Sequence, residues 1–269
     1  MIPRALLALL LAVLALPARA EAPADAVRME VLPGWDMGDG RRMAALRLTL
    51  APGWKTYWRS PGPAGLPPIL DFAASTGISG VEAQWPVPHV FYLGELRSIG
   101  YSGTVTIPLE LTLTGGPARL EGVVDIGVCQ DVCVPVTLPV AADLPGGGPD
   151  GGGRRDPAIV AALVDRPMTA EEAGARATCA VEPAPGGGLG LTLRLALPPQ
   201  GGEEAVVVEP ADPSLWVSEA RSWREGGTLV ATAEAEARDG GPAALDRSGL
   251  RITVLGDGRA VDIRGCGAG

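Results

Sequence analysis

What most restricts the fold of this chain is a period of two. Met43 to Leu50 sets Ala45, Arg47 and Thr49 against Leu46, Leu48 and Leu50, and Thr104 to Leu113 and Leu120 to Ile126 behave similarly. Extended backbone sends successive side chains to opposite faces, so such runs predict half-buried strands. Ala51-Pro-Gly53, Ser60-Pro-Gly62, Gly100 and Gly115-Gly-Pro117 fall between them as turn signals. The spacing suits an antiparallel sandwich and not a helical array.

A second constraint is Pro145-Gly-Gly-Gly-Pro-Asp-Gly-Gly-Gly153, which has no apolar side chain to bury and maximal backbone freedom. It reads as a linker with a root-mean-square reach of about 15 to 18 Å, letting the flanking parts reorient unless they pack together. Beyond it, Asp156-Pro157 predicts the start of a short helix through Ala161 and Leu163, broken at Pro167, and Thr169-Ala-Glu-Glu172 offers a second start. Strands resume at Leu189 to Leu197, Ala205 to Glu209, Thr228 to Ala235 and Leu250 to Leu255. The expected organisation is a leader over 1–20, a β-domain over 21–145, a linker over 146–156 and a second β-sandwich over 157–269. The fold class is all-β, with a short helical segment opening the second domain.

The leader is read from Arg4, the apolar run Ala5 to Leu16 and the small-residue pattern Ala18-Arg19-Ala20, with the mature chain beginning at Glu21. Its loss leaves 20 basic residues against 31 acidic ones, a formal charge of -11. Such a chain is a poor partner for nucleic acid. Lys55 is its single lysine. Trp35, Trp54, Trp58, Trp85, every tyrosine and both phenylalanines precede residue 102, so the two halves differ in composition and, by expectation, in role.

Four cysteines, an even number in an exported chain, favour two disulfides. Pairing Cys129 with Cys133 and Cys179 with Cys266 keeps each bond on one side of the linker. The Cys179–Cys266 bond would staple the ends of the second domain, a structural role. Cys129 and Cys133 enclose three residues, so their bond removes little entropy from the unfolded chain and is a poor stabiliser. It is either a clip pinning a hairpin or a pair open to attack by a partner thiolate.

Other chemistries find little support. Two thiolates with His89 or a methionine are donors for a soft ion such as Cu(I), but the chain has one histidine and its methionines are scattered, so no dedicated metal site is assigned. There is no Gly-x-Ser-x-Gly elbow, and the Gly-rich linker lacks the following Lys-Ser/Thr of a phosphate cradle.

Gly53-Trp-Lys-Thr-Tyr-Trp-Arg-Ser-Pro-Gly62, Gly65-Leu-Pro-Pro68, Gln84-Trp-Pro86, Gly100-Tyr101, Pro108-Leu109 and Cys129-x-x-x-Cys133-x-Pro135 form an ordered set. Together they resemble the N-terminal periplasmic domain of the thiol:disulfide interchange protein DsbD, above all its DsbD-like and ScsB-like variants in proteobacteria, over about residues 30–145. The resemblance implies an immunoglobulin-like sandwich whose cysteines pass electrons between thioredoxin-like or disulfide-isomerase-like periplasmic proteins, without an organic cofactor. It implies that Cys133 forms the mixed disulfide and Cys129 resolves it. By motif order Val90-Phe91-Tyr92-Leu93-Gly94 stands where the family has an aromatic cap loop, with Phe91, beside Tyr92, as the candidate cap. A second immunoglobulin-like module follows in the ScsB-like group.

This chain departs from the family in its shorter cysteine spacing and in His89 and Val90, which replace acidic residues beside the cap. It also carries neither a membrane-embedded electron transporter nor a thioredoxin-like CxxC domain, so a separately encoded membrane partner is expected to reduce it. The expectation is a periplasmic thiol-disulfide interchange module. Two alternatives stay open: a redox-inert binding module in which Trp54, Thr56 and Trp58 pack a core or binding face, and copper handling, since ScsB-like relatives are associated with copper tolerance.

Overall fold

The structure is a computed structural model that describes residues 25–93, 96–145 and 154–269. The predicted leader and residues 146–153 of the Gly-rich segment lie outside these. Among the described residues no helix is long and apolar enough to cross a membrane.

In chain order the first sandwich contains β1 (Val27–Gly38), β2 (Arg41–Leu50), β3 (Lys55–Tyr57), β4 (Ile69–Asp71), β5 (Ile78–Ala83), β6 (His89–Leu93), β7 (Leu96–Ser102), β8 (Thr104–Leu113), β9 (Ala118–Cys129) and β10 (Cys133–Leu144). One sheet has the order β1-β2-β8-β5, the other β10-β9-β3-β7-β6, with β4 paired to β9. Alternation does the work predicted for it. Leu46, Leu48 and Leu50 of β2 and Val105, Ile107, Leu109 and Leu111 of β8 enter the same buried cluster as Leu120, Val124, Ile126 and Val128 of β9.

A helix, α1 (Pro157–Val164), follows the linker. Its Asp156 cap accepts from the Ala158 amide at 2.8 Å, and Pro157 occupies the first turn, where a missing N–H costs nothing. The helix packs on the first sandwich. Ile159, fully buried, joins Leu32, Trp35, Met43 and Ala45 on the outer face of β1 and β2, a burial that contributes about 2 to 3 kcal/mol. At its end the Asp165 carbonyl accepts from the Val87 amide at 2.7 Å.

The second sandwich contains β11 (Met168–Thr169), β12 (Arg176–Pro183), β13 (Leu189–Ala196), β14 (Ala205–Glu209), β15 (Leu215–Val217), β16 (Arg221–Glu225), β17 (Thr228–Ala237), β18 (Arg251–Leu255), β19 (Ala260–Arg264) and β20 (Gly267–Ala268). Its sheets run β11-β19-β18-β14 and β15-β17-β13-β12-β20, with β16 on β17. Both halves are immunoglobulin-like all-β sandwiches. Thr169 and Glu172 form the reciprocal bonds of a capping box, Thr169 N to Glu172 Oε2 at 2.8 Å and Glu172 N to Thr169 Oγ1 at 3.2 Å. The second helix start nonetheless yields only a turn, which ends at Gly174 with φ 60°.

The sandwiches pack together, so the reorientation that the linker alone would permit is opposed. Val206 and Val208 of β14 face the core of the second sandwich, while Ala205 and Val207 face the buried cluster of the first, with Leu255 and Ala260. This explains why Ala205 to Val208 is an unbroken apolar run: a strand buried on both faces has no polar side to show. Arg59 crosses the boundary to Glu209 at 3.1 Å (Nε to Oε1) and 2.8 Å (Nη2 to Oε2) and to Thr253 Oγ1 at 3.0 Å. Arg97 Nε lies 2.9 Å from Glu219 Oε1, close enough for an ion pair but misaligned for a hydrogen bond.

Candidate functional site: a half-exposed disulfide under a buried tyrosine

β9 and β10 form a twelve-residue-deep antiparallel hairpin whose last register pair is Cys133 opposite Cys129. Gln130, Asp131 and Val132 close it. The two cysteines are bonded, with Cα atoms 4.1 Å apart. Their surroundings differ. Cys129 is 1% exposed, because β3 pairs with β9 beside it, whereas Cys133 is on the open side of the hairpin and exposed.

Tyr57, the last residue of β3, brings its hydroxyl to 2.8 Å from Cys129 Sγ and 3.0 Å from Cys133 Sγ. Disulfide sulfurs carry no proton, so the phenol is the donor, and it also lies 3.2 Å from the Ala64 carbonyl that accepts from it. Burial raises the phenol's pKa above its ordinary value, which keeps the proton on oxygen at neutral pH. The hydroxyl is thus an aimed donor shared between a carbonyl and two weak acceptors. It bonds most strongly to whichever sulfur becomes a thiolate.

Two glycines make room for the ring. A Cβ on Gly127 would sit 3.0 Å from Tyr57 Cδ2 and Cε2, and one on Gly65 would sit 2.9 Å from Cδ1. Behind the ring, Thr56 Oγ1 donates to the Gly127 carbonyl at 2.9 Å and ties β3 to β9. The motif Gly53 to Gly62, the motif Gly65 to Pro68 and the cysteine motif therefore converge on one phenol. Tyr57 was the functional candidate that sequence reasoning passed over. Its presence inside a motif was visible, but its 72-residue separation from Cys129 hid the contact.

Phe91 lies on β6 opposite Ser98, with its ring 5.1 Å from Lys55 Nζ and edge-on to His89 at 6.2 Å. Lys55 is opposite Cys129 in register, so the only lysine of the chain, whose ammonium faces the Phe91 ring, belongs to the strand position beside the buried cysteine. Tyr92 alternates to the other face, where it is 50% exposed and neighbours Glu203 and Arg97. Gly94, the end of the predicted cap segment, is outside the described residues. Tyr101 donates to the Pro86 carbonyl at 2.8 Å, anchoring the chain just before β6.

Around the pair, exposed apolar side chains stand beside the exposed Gln130 and Asp131. Val132 is 63% exposed within the cysteine ring, Leu66 44% beside Gly127, and Ile69 61% opposite Asp125 on β4. Cys179 and Cys266 form the other bond, in the second sandwich, where Cys179 is buried on β12 and the segment after Cys266 pairs with that strand. Among the described residues no cluster of three or more His, Cys, Asp or Glu is arranged to hold a metal ion.

Residues 19–144 match the family described as thiol:disulfide interchange protein DsbD, N-terminal. The whole fold is similar to the N-terminal periplasmic domain of ScsB from Proteus mirabilis, with a TM-score of 0.66 and 23% identity over 93% of this chain and 97% of that one. A protein of unknown function from Porphyromonas gingivalis W83 aligns over 89% of this chain and 99% of its own at 11% identity, with a TM-score of 0.23. No curated protein matches the chain.

Proposed function

We propose that this chain, whose first sandwich is a DsbD/ScsB-like N-terminal domain, exchanges its Cys129–Cys133 disulfide with the thiols of thioredoxin-like proteins. The observation that carries the reading is the asymmetry of the pair: an exposed Cys133 for attack, a buried Cys129 to leave, and the Tyr57 hydroxyl within hydrogen-bond reach of both sulfurs.

The steps follow from that geometry. A donor thiolate attacks Cys133 Sγ, a new sulfur–sulfur bond forms, and the Cys129–Cys133 bond breaks with its electron pair on Cys129. Tyr57 donates a hydrogen bond to the departing thiolate, which lowers the cost of placing charge in a buried site. The donor's second thiolate then attacks its own sulfur in the mixed disulfide and releases Cys133. The donor ends as a disulfide and the pair ends reduced, a two-electron transfer. In the reverse sense, Cys133 attacks the disulfide of an acceptor oxidoreductase and Cys129 resolves the adduct.

The exposed Val132, Leu66 and Ile69 supply an apolar rim on which a partner can bury its own active-site edge. In this reading Phe91 is the cap, and the Lys55 ammonium and the His89 ring edge that contact it make an arrangement that a docking partner can displace. The location proposed is the periplasm after removal of residues 1–20, with a separately encoded membrane transporter or thioredoxin-like protein as donor and disulfide-isomerase-like proteins as acceptors.

The test is direct. Purified thioredoxin is expected to reduce the pair, and a Cys129→Ala variant is expected to collect covalent adducts at Cys133 in periplasmic extract. A bond that resists the donor, together with a variant that traps nothing, would leave the hairpin clip as the correct reading.

A further inference from the structure

Tyr57, Trp58 and Arg59 are consecutive, yet they serve the sulfurs, the core and the domain boundary in turn. Trp58 is fully buried, and the Arg59 guanidinium lies 3.8 Å from the centroid of its ring. Arg59 is itself held by the second sandwich, through the two-pronged contact to Glu209 and the bond to Thr253, which is 0% exposed. A fork with both prongs engaged fixes position as well as charge.

From Arg59 the chain turns back towards the sulfurs. The Pro61 carbonyl accepts from the Ile99 amide at 2.9 Å, the Gly62 carbonyl accepts from the Gly65 amide at 3.2 Å, and the Ala64 carbonyl receives the Tyr57 hydroxyl. Gly65 lies against the Tyr57 ring. The same segment, through Ser60 to Pro63 and Gly65, forms one wall of a cleft of about 450 Å³ whose other wall is Val206 to Pro210 and Leu215 to Ala220 of the second sandwich. One side of this loop therefore faces the second sandwich and its tip holds the phenol.

We propose that Arg59 is a positioning residue for the disulfide: the second sandwich, through Glu209 and Thr253, holds Arg59 and the Ser60–Gly65 loop, and thereby keeps the Tyr57 hydroxyl on Cys129 and Cys133. The inference gives the second sandwich a task, tuning of the pair from behind. Its consequence for exchange rests on the function proposed above, but the coupling itself is measurable without any protein partner.

The experiment equilibrates the full chain with glutathione redox buffers and titrates thiolate absorbance against pH, for wild type, Glu209→Gln, Tyr57→Phe and the double variant. Glu209→Gln is expected to lower the equilibrium constant for reduction about fivefold, the size of an ordinary coupling between sites, and to move thiolate formation to higher pH. Both shifts are expected to vanish in the Tyr57→Phe background, since an effect carried by the phenol cannot add to its removal. Thr253→Val, which removes a single hydrogen bond with little change of shape, is expected to shift the same way by about twofold. It carries the test if Glu209→Gln fails to fold.

A folded Glu209→Gln with a lower melting temperature but unchanged equilibrium and titration would overturn the inference, because a merely structural ion pair predicts that result. Equal shifts with and without the Tyr57 hydroxyl would overturn it as well. Failure of the exchange function would be seen separately, as a wild-type pair that thioredoxin does not reduce.

Discussion

Cys129 and Cys133 are direct register partners across one hairpin, and only Cys129 is buried. Neighbouring strands create the difference: β3 pairs with β9 beside Cys129, whereas β10 is the edge of its sheet and no described strand pairs with its other side. Accessibility therefore separates two residues that the hairpin itself treats alike.

This asymmetry predicts selective chemistry. In the reduced protein Cys133 is expected to be alkylated at least about tenfold faster than Cys129, since reaction follows thiolate access. Peptide mass spectrometry after a short iodoacetamide pulse measures the ratio, and equal labelling would contradict the geometry.

Tyr57→Phe removes the donor and keeps the ring. Losing the bond to Ala64 is expected to cost about 1 kcal/mol of stability, read by urea unfolding, while reduction of the pair by a small dithiol slows severalfold. The pH dependence has a definite sign. A folded-state pKa raised by burial means that the native protein holds the phenolic proton more tightly than the unfolded chain, so this contribution is intact below about pH 10 and is lost as pH rises beyond it. Tyr57→Phe is expected to flatten that alkaline fall.

Gly127→Ala tests the seat of the ring. Its methyl would press on Tyr57 Cδ2 and Cε2 and on Leu66 Cβ, each 3.0 Å away. A loss of about 1 to 3 kcal/mol is expected, the usual cost of overpacking, with slower reduction of the pair. Unchanged stability would mean that the ring has room to move.

The second disulfide is expected to behave in the opposite way. Cys179 and Cys266 are 87 residues apart in sequence, and replacing both by serine is expected to cost about 2 to 5 kcal/mol. The equilibrium of Cys129–Cys133 with glutathione is expected to stay where it was. Calorimetry and the redox titration together check both halves.

Acid provides a further check, at the turn after β11. Arg166 and the Thr169 amide hold the Glu172 carboxyl at about 2, against an ordinary value of 4.5. A depressed folded value means that the stability it lends is present at neutral pH and is lost as pH falls from about 4.5 towards 2. Carboxyl chemical shifts of Glu172 in a pH series report the value, and Glu172→Gln removes that acidic step.

Much of this architecture could be read residue by residue. Leu46, Leu48 and Leu50 announced a buried face, Asp156-Pro157 announced a helix, and the ordered motifs around the cysteines announced a family. At Thr169-Ala-Glu-Glu172, where the sequence predicts a second helix start, the reciprocal Thr169–Glu172 bonds form, but Gly174 ends the turn before a helix can propagate. Phe91 and Tyr92 fall on opposite faces of β6, Phe91 beside Lys55 and Tyr92 near Arg97 and Glu203, because successive residues of a strand point to opposite sides.

The sequence by itself determined which faces are apolar, where the chain turns, and that two cysteine pairs exist. Tertiary structure alone decided what covers each face. Ile159, which follows the linker, closes over Met43 and Ala45 of the first sandwich, and Ala205 and Val207 fill a boundary that their strand could not name. It also decided that Tyr57 meets the sulfurs and that Arg59 is gripped from the other sandwich. The reason is physical. Periodicity is a property of a few neighbouring residues, whereas sheet order and domain packing join residues separated by 72 and 150 positions, and local pattern carries no record of which distant surface will complete it.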